Sequence, residues 1–291
     1  MSLEYWYMFP VSVLVATVAM ASGVEGATFF TPLFILALGI PTKVAIATGL
    51  IAEVFGFSSG LFSYARRRLI DYRLGRNLIV VTIPMALFGT WVSRYLPPDI
   101  VKVVLGVGLF AVAMSFLRRP YREDIFRIDQ AIETEYGGPR AERCLTPAGE
   151  KKICYKVCNR TEGRMVAAIG ATFVGLVSTG LGELNDYFLL QRCKVPSKVS
   201  IATSVFTVVI TSGTASVGHA AELVLGGGLG SVNLLASLLI FVVPGVIIGG
   251  QVGPFVAARV PERVVVRTMG ILFALVGALM VGGVIWKLRG G

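Results

Sequence analysis

Apolar residues fill this chain in long blocks separated by short polar punctuation. The blocks run Tyr5 to Ser22, Val44 to Ala65, Asn77 to Leu96, Ile100 to Leu117, Met165 to Gly180, Val199 to Gly218, Ser231 to Ala258 and Val264 to Trp286. Each approaches the ~20 residues with which a helix crosses a bilayer. Two further apolar pieces are too short to cross: Ala27 to Leu38, which contains Pro32, and Leu184 to Leu190. Each follows a glycine-containing break. The first is Ser22-Gly-Val-Glu-Gly-Ala-Thr28 and the second is Ser178-Thr-Gly-Leu-Gly-Glu-Leu-Asn-Asp186. Irregular backbone and carboxylates at membrane depth are costly unless they line a protein cavity. The ten-residue alternation of a membrane β-barrel is absent. The pattern predicts an all-α polytopic membrane protein.

The chain also repeats itself. Ile40-Pro-Thr-Lys-Val-Ala-Ile-Ala-Thr48 aligns without a gap with Val195-Pro-Ser-Lys-Val-Ser-Ile-Ala-Thr203. Pro84 and Gly89 match Pro244 and Gly249, and Pro97 and Gly106 match Pro261 and Gly270, in the same order. This divides the chain into a first transmembrane repeat (1–117), a polar insert (118–163) and a second transmembrane repeat (164–291). The loops orient the copies. Arg66-Arg-Arg68, Arg73 and Arg76 follow the third apolar piece of the first half, whereas the matching stretch His219 to Gly230 has no Lys or Arg. The preceding loop reverses the contrast, with Lys43 in one half and Arg192, Lys194 and Lys198 in the other. By the positive-inside rule the repeats are inverted, each with a broken or re-entrant helix pair plus three spans. Both termini then lie outside and the insert in the cytoplasm, although Lys287 and Arg289 run against this. Within the insert, Cys144 to Asn159 reads as a small β-hairpin turned by Pro147-Ala-Gly149.

Composition narrows the function. The chain is 55% hydrophobic and 15% charged, with a mean hydropathy of +0.75, which no soluble domain needs. Its net charge of +10 sits at the ends of spans, so it reads as a topology signal and not as a nucleic-acid surface. The first block lacks a basic lead-in and is read as a span, not a cleaved leader. Cys144, Cys154, Cys158 and Cys193 define no disulfide framework by spacing. Hairpin packing is the plainer reading of Cys144, Cys154 and Cys158, and a metal site the alternative. Asn159-Arg-Thr161 is a glycosylation pattern on a segment expected in the cytoplasm. Gly56-Phe-Ser-Ser-Gly60 matches the esterase elbow but lies inside a span, far from the strand–turn–helix setting that motif requires. His219, the one histidine, is expected on the outer side. No phosphate-binding loop is present, so a nucleotide-driven pump is not expected; no nucleophile is paired with a base, so an enzyme is not expected either, and no cofactor or metal is called for.

The glycine-containing first break followed by Pro32-Leu33, then Gly39-Ile-Pro41, Val44-Ala45 with Thr48, and Tyr64-Ala-Arg-Arg-Arg68 before Asp71-Tyr72-Arg73 resemble the sulfite exporter TauE/SafE family, as does the repeated pattern at Pro196 to Thr203. The likeness covers nearly all the membrane part but not the insert. It implies a transporter of the cytoplasmic membrane whose cargo is a small anion, a sulfur oxyanion or an organosulfonate.

Paired breaks in matching places are the sequence signature of a transport site between repeats. The short helices after them present free N–H groups and positive dipole ends to an oxyanion. The candidate substrate-binding residues are Gly23, Gly26, Thr28, Thr48, Gly180, Gly182, Asn185 and Thr203. A carboxylate beside an anion site repels its ligand unless protonated, so Glu25, Glu183 and Glu53 are the candidate proton-coupling residues. The competing reading makes Glu25 and Glu183 caps of the helices they precede and Glu53 a structural interior residue. Two rivals change the function. Glu25, Glu183 and Asp186 would ligate a cation in one; in the other the chain is a non-transporting scaffold whose hairpin recruits a partner. The arginines at 66–68 read as a topology anchor first and a contact for anionic membrane lipid second.

Overall fold

Asp71 shows how these elements begin. Its side chain accepts hydrogen bonds from the backbone of Arg73 and Leu74, satisfying two of the free donors that open the next helix. In the computed structural model the described residues are 3–22, 24–117, 127, 130–131, 143–148, 152–155, 160–226, 228–257 and 262–290. The elements are α1 (Met8–Ser22), α2 (Ala27–Leu36), α3 (Thr42–Arg66), α4 (Tyr72–Tyr95), α5 (Pro98–Leu117), β1 (Arg143–Leu145), β2 (Ile153–Tyr155), α6 (Arg160–Val177), α7 (Leu181–Asp186), α8 (Ser197–Gly226), α9 (Gly228–Ala257) and α10 (Glu262–Gly290). A π-helical stretch, Tyr187–Arg192, continues α7. Among the described residues five helices are long and apolar enough to cross a membrane, within α3, α4, α8, α9 and α10. This is a multi-pass helical membrane protein. Leu14, Val80, Trp91, Ile271 and Trp286 are exposed on its outside, while Thr, Ser, Glu and His side chains are buried within.

Packing between the halves is reciprocal. α1 packs on α9 as α6 packs on α4; α3 packs on α9 as α8 packs on α4; α3 meets α8, and α5 meets α10. Matching glycines allow the closest approaches. A Cβ on Gly89 would run into the Thr172 carbonyl of α6, and one on Gly249 into the Val13 carbonyl of α1. Each partner helix carries a threonine bonded back one turn, Thr172 to Ala168 and Thr17 to Val13. The helices α3 and α8 run in opposite directions. Lys43 at the start of α3 pairs with Glu222 near the end of α8 at 2.6 Å. At the other end, the Asp71 backbone N–H donates to Thr203 on the first turns of α8 at 3.1 Å.

The hairpin forms as expected, with Arg143 opposite Tyr155, Cys144 opposite Cys154 and Leu145 opposite Ile153. Its cysteines behave differently from the reading by spacing. Cys144 and Cys154 form a disulfide, and Cys193 is also disulfide-bonded, so none of these three offers a metal a free thiolate. Direct opposition across the strands sets this pairing, and spacing along one strand does not reveal it. Cys158, the sequon asparagine and the charged segment 118–126 lie outside the described residues. Two other expectations change. α8 continues to Gly226, so His219 lies inside a helix and not in an outer loop. It is buried and donates from Nε2 to the Gly175 carbonyl of α6 at 2.7 Å. The short block expected at Leu184 to Leu190 begins earlier, at Leu181, and runs on through the π-helical stretch.

The hairpin does not stand free. Leu145, Ile153 and fully buried Tyr155 pack with Leu74, Phe188, Leu189, Cys193, Val195 and Val199. The Ala148 N–H donates to the Arg67 carbonyl at 3.0 Å. Tyr155 donates its hydroxyl to Asp71 at 2.7 Å, and Arg143 pairs with the same carboxylate at 2.5 Å. Burial alone would push the Asp71 carboxyl up. Hydrogen bonds from Tyr155, Leu74 and Arg143 outweigh it and hold the group below its ordinary range. Burial, with the Asp71 charge, pushes the Tyr155 phenol up.

Candidate functional site

The two breaks meet. Thr28, on the first turn of α2, shares a hydrogen bond with Thr179 of the second break at 2.6 Å. One turn along α2, Thr31 does the same with Ser178 at 2.7 Å. Ser178 and Gly180 both adopt positive φ, at 63° and 114°, so the backbone turns sharply between α6 and α7. That turn aims two backbone N–H groups at one point. Gly180 donates to Glu25 Oε2 at 2.7 Å and Gly182 to Glu25 Oε1 at 2.5 Å. A Cβ on Gly182 would lie 3.0 Å from the Glu25 carboxylate, so glycine there permits the approach. Glu25 therefore does cap a helix start, but the start belongs to the other half and not to the α2 that follows it.

Glu53 plays the matching part for the first break. From the middle of α3 its Oε2 accepts from the Ala27 backbone at 3.2 Å, and its Oε1 lies 3.5 Å from the Ser212 hydroxyl of α8. Gly26 passes close by, its Cβ position 3.9 Å from the Glu53 Cα. Glu183, on the first turn of α7, interacts electrostatically with both Glu25 and Glu53. The exposures are 2% for Glu25, 2% for Glu53 and 8% for Glu183, which places three carboxyls in one closed interior. Asn185, one turn further along α7, is also buried, and among the described residues its Nδ2 has no hydrogen-bond partner.

Of the expected residues, the structure thus gathers Gly26, Thr28, Gly180, Gly182, Glu25, Glu53 and Glu183, with Asn185 on the same short helix. Gly23 lies outside the described residues. Thr48 is buried beside this group in sequence, but its hydroxyl bonds back to Val44 within α3. Thr203 is drawn to the hairpin end, where it accepts from Asp71. The residues that spacing did not single out are Thr31, Ser178 and Thr179, while Ser212 belongs to a hydroxyl stripe, with Ser204, Thr207 and Thr211, whose role the sequence leaves open. Ser178 and Thr179 stand at the entrance of the second break, and Thr31 lies three residues after Thr28. That is the available signal, but it acquires meaning only once the two breaks face each other.

The family pattern of sulfite exporter TauE/SafE matches residues 8–280. The chain belongs to the sulfite exporter TauE/SafE family. Within reach of it are proteins named as probable membrane transporters. YunE of Bacillus subtilis (strain 168) is 24% identical over 242 residues, covering 83% of this chain and 82% of that protein. YjnA of the same organism is 26% identical over 249 residues, covering 82% and 86%. ORF9 of Sinorhizobium sp is 28% identical over 90 residues, covering 31% and 34%. No solved structure matches this chain. Membership in this family, with multi-pass helices and two breaks that meet inside them, makes the chain a membrane transporter.

Proposed function

We propose that the chain is a secondary transporter for a small anion, a sulfur oxyanion or an organosulfonate, coupled to protons at the meeting point of the two breaks. The observation that carries this reading is the seat of Glu25. Two converging N–H groups of the second break hold one carboxylate, and that is the geometry an oxyanion head requires. A protonated Glu25 releases those donors, and a substrate oxyanion takes its place; Glu183 and Glu53 hold the proton inventory nearby. The substrate then rests against Gly180, Gly182 and the Thr28–Thr179 hydroxyls. Two inverted repeats supply the movement, supported by the opposed directions of α3 and α8 and by the reciprocal packing. The arginine-rich face is read as the cytoplasmic side of the cell membrane.

The cation reading fares worse. Among the described residues no group of three or more His, Cys, Asp or Glu gathers as a metal site, and the carboxylates of Glu25 and Glu53 turn toward backbone donors. The scaffold reading needs an available hairpin face, whereas Tyr155, Leu145 and Ile153 are packed against the chain's own helices. The test is flux into proteoliposomes with sulfite, short alkyl sulfonates and divalent cations as separate cargoes. An imposed pH gradient should drive one of the sulfur anions, and Glu183→Gln should remove the dependence on that gradient while the protein stays monodisperse. Flux of a divalent cation alone, or an unaltered gradient response in the variant, would reject the reading.

A further inference from the structure

On the arginine-rich face, the end of α3 and the later part of α9 enclose a recess of about 410 Å³ lined by Ser59, Phe62, Ser63, Arg66, Arg67 and Gln251. We propose that this recess binds the phosphodiester headgroup of an anionic phospholipid, with its acyl chains lying along α3 and α9. Three features carry the proposal. The first is available charge: neither Arg66 nor Arg67 forms an ion pair with a described residue, since the ion pairs among the described residues use Lys43, Arg143, Arg192 and Lys287. The Arg66 guanidinium lies 5.6 Å from the Phe62 ring centroid, poised at the rim.

The second is an axial order that fits a lipid and not a free ion. Phe55, Ser59, Phe62 and Arg66 follow one another at helical spacing along one stripe of α3. Phe55 and Phe62 are exposed to the surroundings, and on α9 so are Ile247, Ile248 and Val252 around Gln251. Phe55 on α3 and Ile247 and Ile248 on α9 precede Ser59 and Gln251 in the chain, on the side of the recess away from Arg66 and Arg67, where acyl chains would run from a headgroup. The third is hydrogen-bond capacity. The Ser63 hydroxyl lines the recess, the Ser59 hydroxyl donates back to the Gly56 carbonyl at 2.8 Å, and Gln251 reaches across from α9 to the Ser59 carbonyl at 3.4 Å, which leaves its second amide hydrogen to offer. The Ser63 hydroxyl and the second Gln251 amide hydrogen, with two guanidinium groups, suit the two unbridged oxygens of a phosphodiester.

The experiment uses the full chain purified in detergent, with retained lipid measured by native mass spectrometry. Wild type should retain phosphatidylglycerol over phosphatidylcholine, and Arg66→Gln with Arg67→Gln should lower that preference by about five-fold or more per arginine. Arg68→Gln, which changes an arginine outside the recess, serves as the control for general charge and should leave the preference in place. Millimolar inorganic phosphate should not displace the lipid. Equal retention by wild type and the double variant, an equal loss in Arg68→Gln, or displacement by inorganic phosphate would each overturn the proposal. Circular dichroism and a monodisperse elution profile exclude misfolding as the cause of a lost preference.

Discussion

Glu25 is the residue on which the site turns, because it belongs to one half and is held by the other. Replacing it with Gln keeps the shape but removes the charge that both N–H groups satisfy. Glu25→Gln should therefore transport at a rate that no longer varies with pH, measured as anion flux across a series of external pH values. Thr179→Val leaves the Thr28 hydroxyl buried without its partner, an expected cost of about 1–3 kcal/mol, seen as a lower melting temperature in detergent. Asp71 gives a pH dependence of stability. Its pKa is lowered in the folded protein, so its contribution is complete above the ordinary aspartate value of ~3.9 and disappears as pH falls below it. Protease resistance of the hairpin should accordingly hold at neutral pH and fail in strong acid, and Asp71→Asn should reproduce that failure at neutral pH. Glu25, Glu53 and Glu183 were legible in the sequence because a carboxyl in an apolar block is conspicuous. Thr31 was not, because a helical hydroxyl ordinarily bonds back to its own turn, as Thr48 does here, and the partners of Ser178 and Thr179 lie about 150 positions away, where no local pattern points.

At the scale of elements, the contact of α4 with α6 depends on small residues. A Cβ on Gly175 would press on the Ala86 carbonyl, whereas one on Gly282 of α10 meets open space. Gly175→Leu should lower the melting temperature and the yield of folded protein, and Gly282→Leu should change neither. The spans and breaks were readable from block length and glycine placement, and the hairpin from Pro147 and the alternation around Cys154. The end of α8 was misread because polar His219 resembles a loop residue; its hydrogen bond to α6 supplies what solvent would have offered. The π-helical stretch was invisible, since no side-chain period marks a turn widened by one residue. It rotates Phe188 and Leu189 into the core beneath the hairpin.

For the whole molecule, the arginines and the disulfide point to opposite sides of the membrane. Arg66, Arg67, Arg68, Arg73 and Arg76 are the ground on which the hairpin face is proposed to be cytoplasmic, while disulfides such as Cys144–Cys154 persist in oxidising compartments. The weight of arginines favours the cytoplasm, and the docked face of the hairpin is held by Tyr155 and Asp71 independently of the disulfide. A single cysteine introduced at Ala148 should be reached by a membrane-impermeant maleimide only after the membrane is permeabilised if the hairpin faces the cytoplasm. Labelling at that position in intact cells would place the hairpin outside and reverse the proposed topology.

The interleaved packing has a further consequence. α1, α4, α5, α6, α9 and α10 each find a principal neighbour across the repeat boundary, so neither set of five helices encloses an interior by itself. Two separate genes, one ending and the other beginning within 118–142, should yield fragments that are degraded when made singly. Made together, they should purify as one complex, like the subunits of a heterodimer from which a single polypeptide of this kind can arise by fusion.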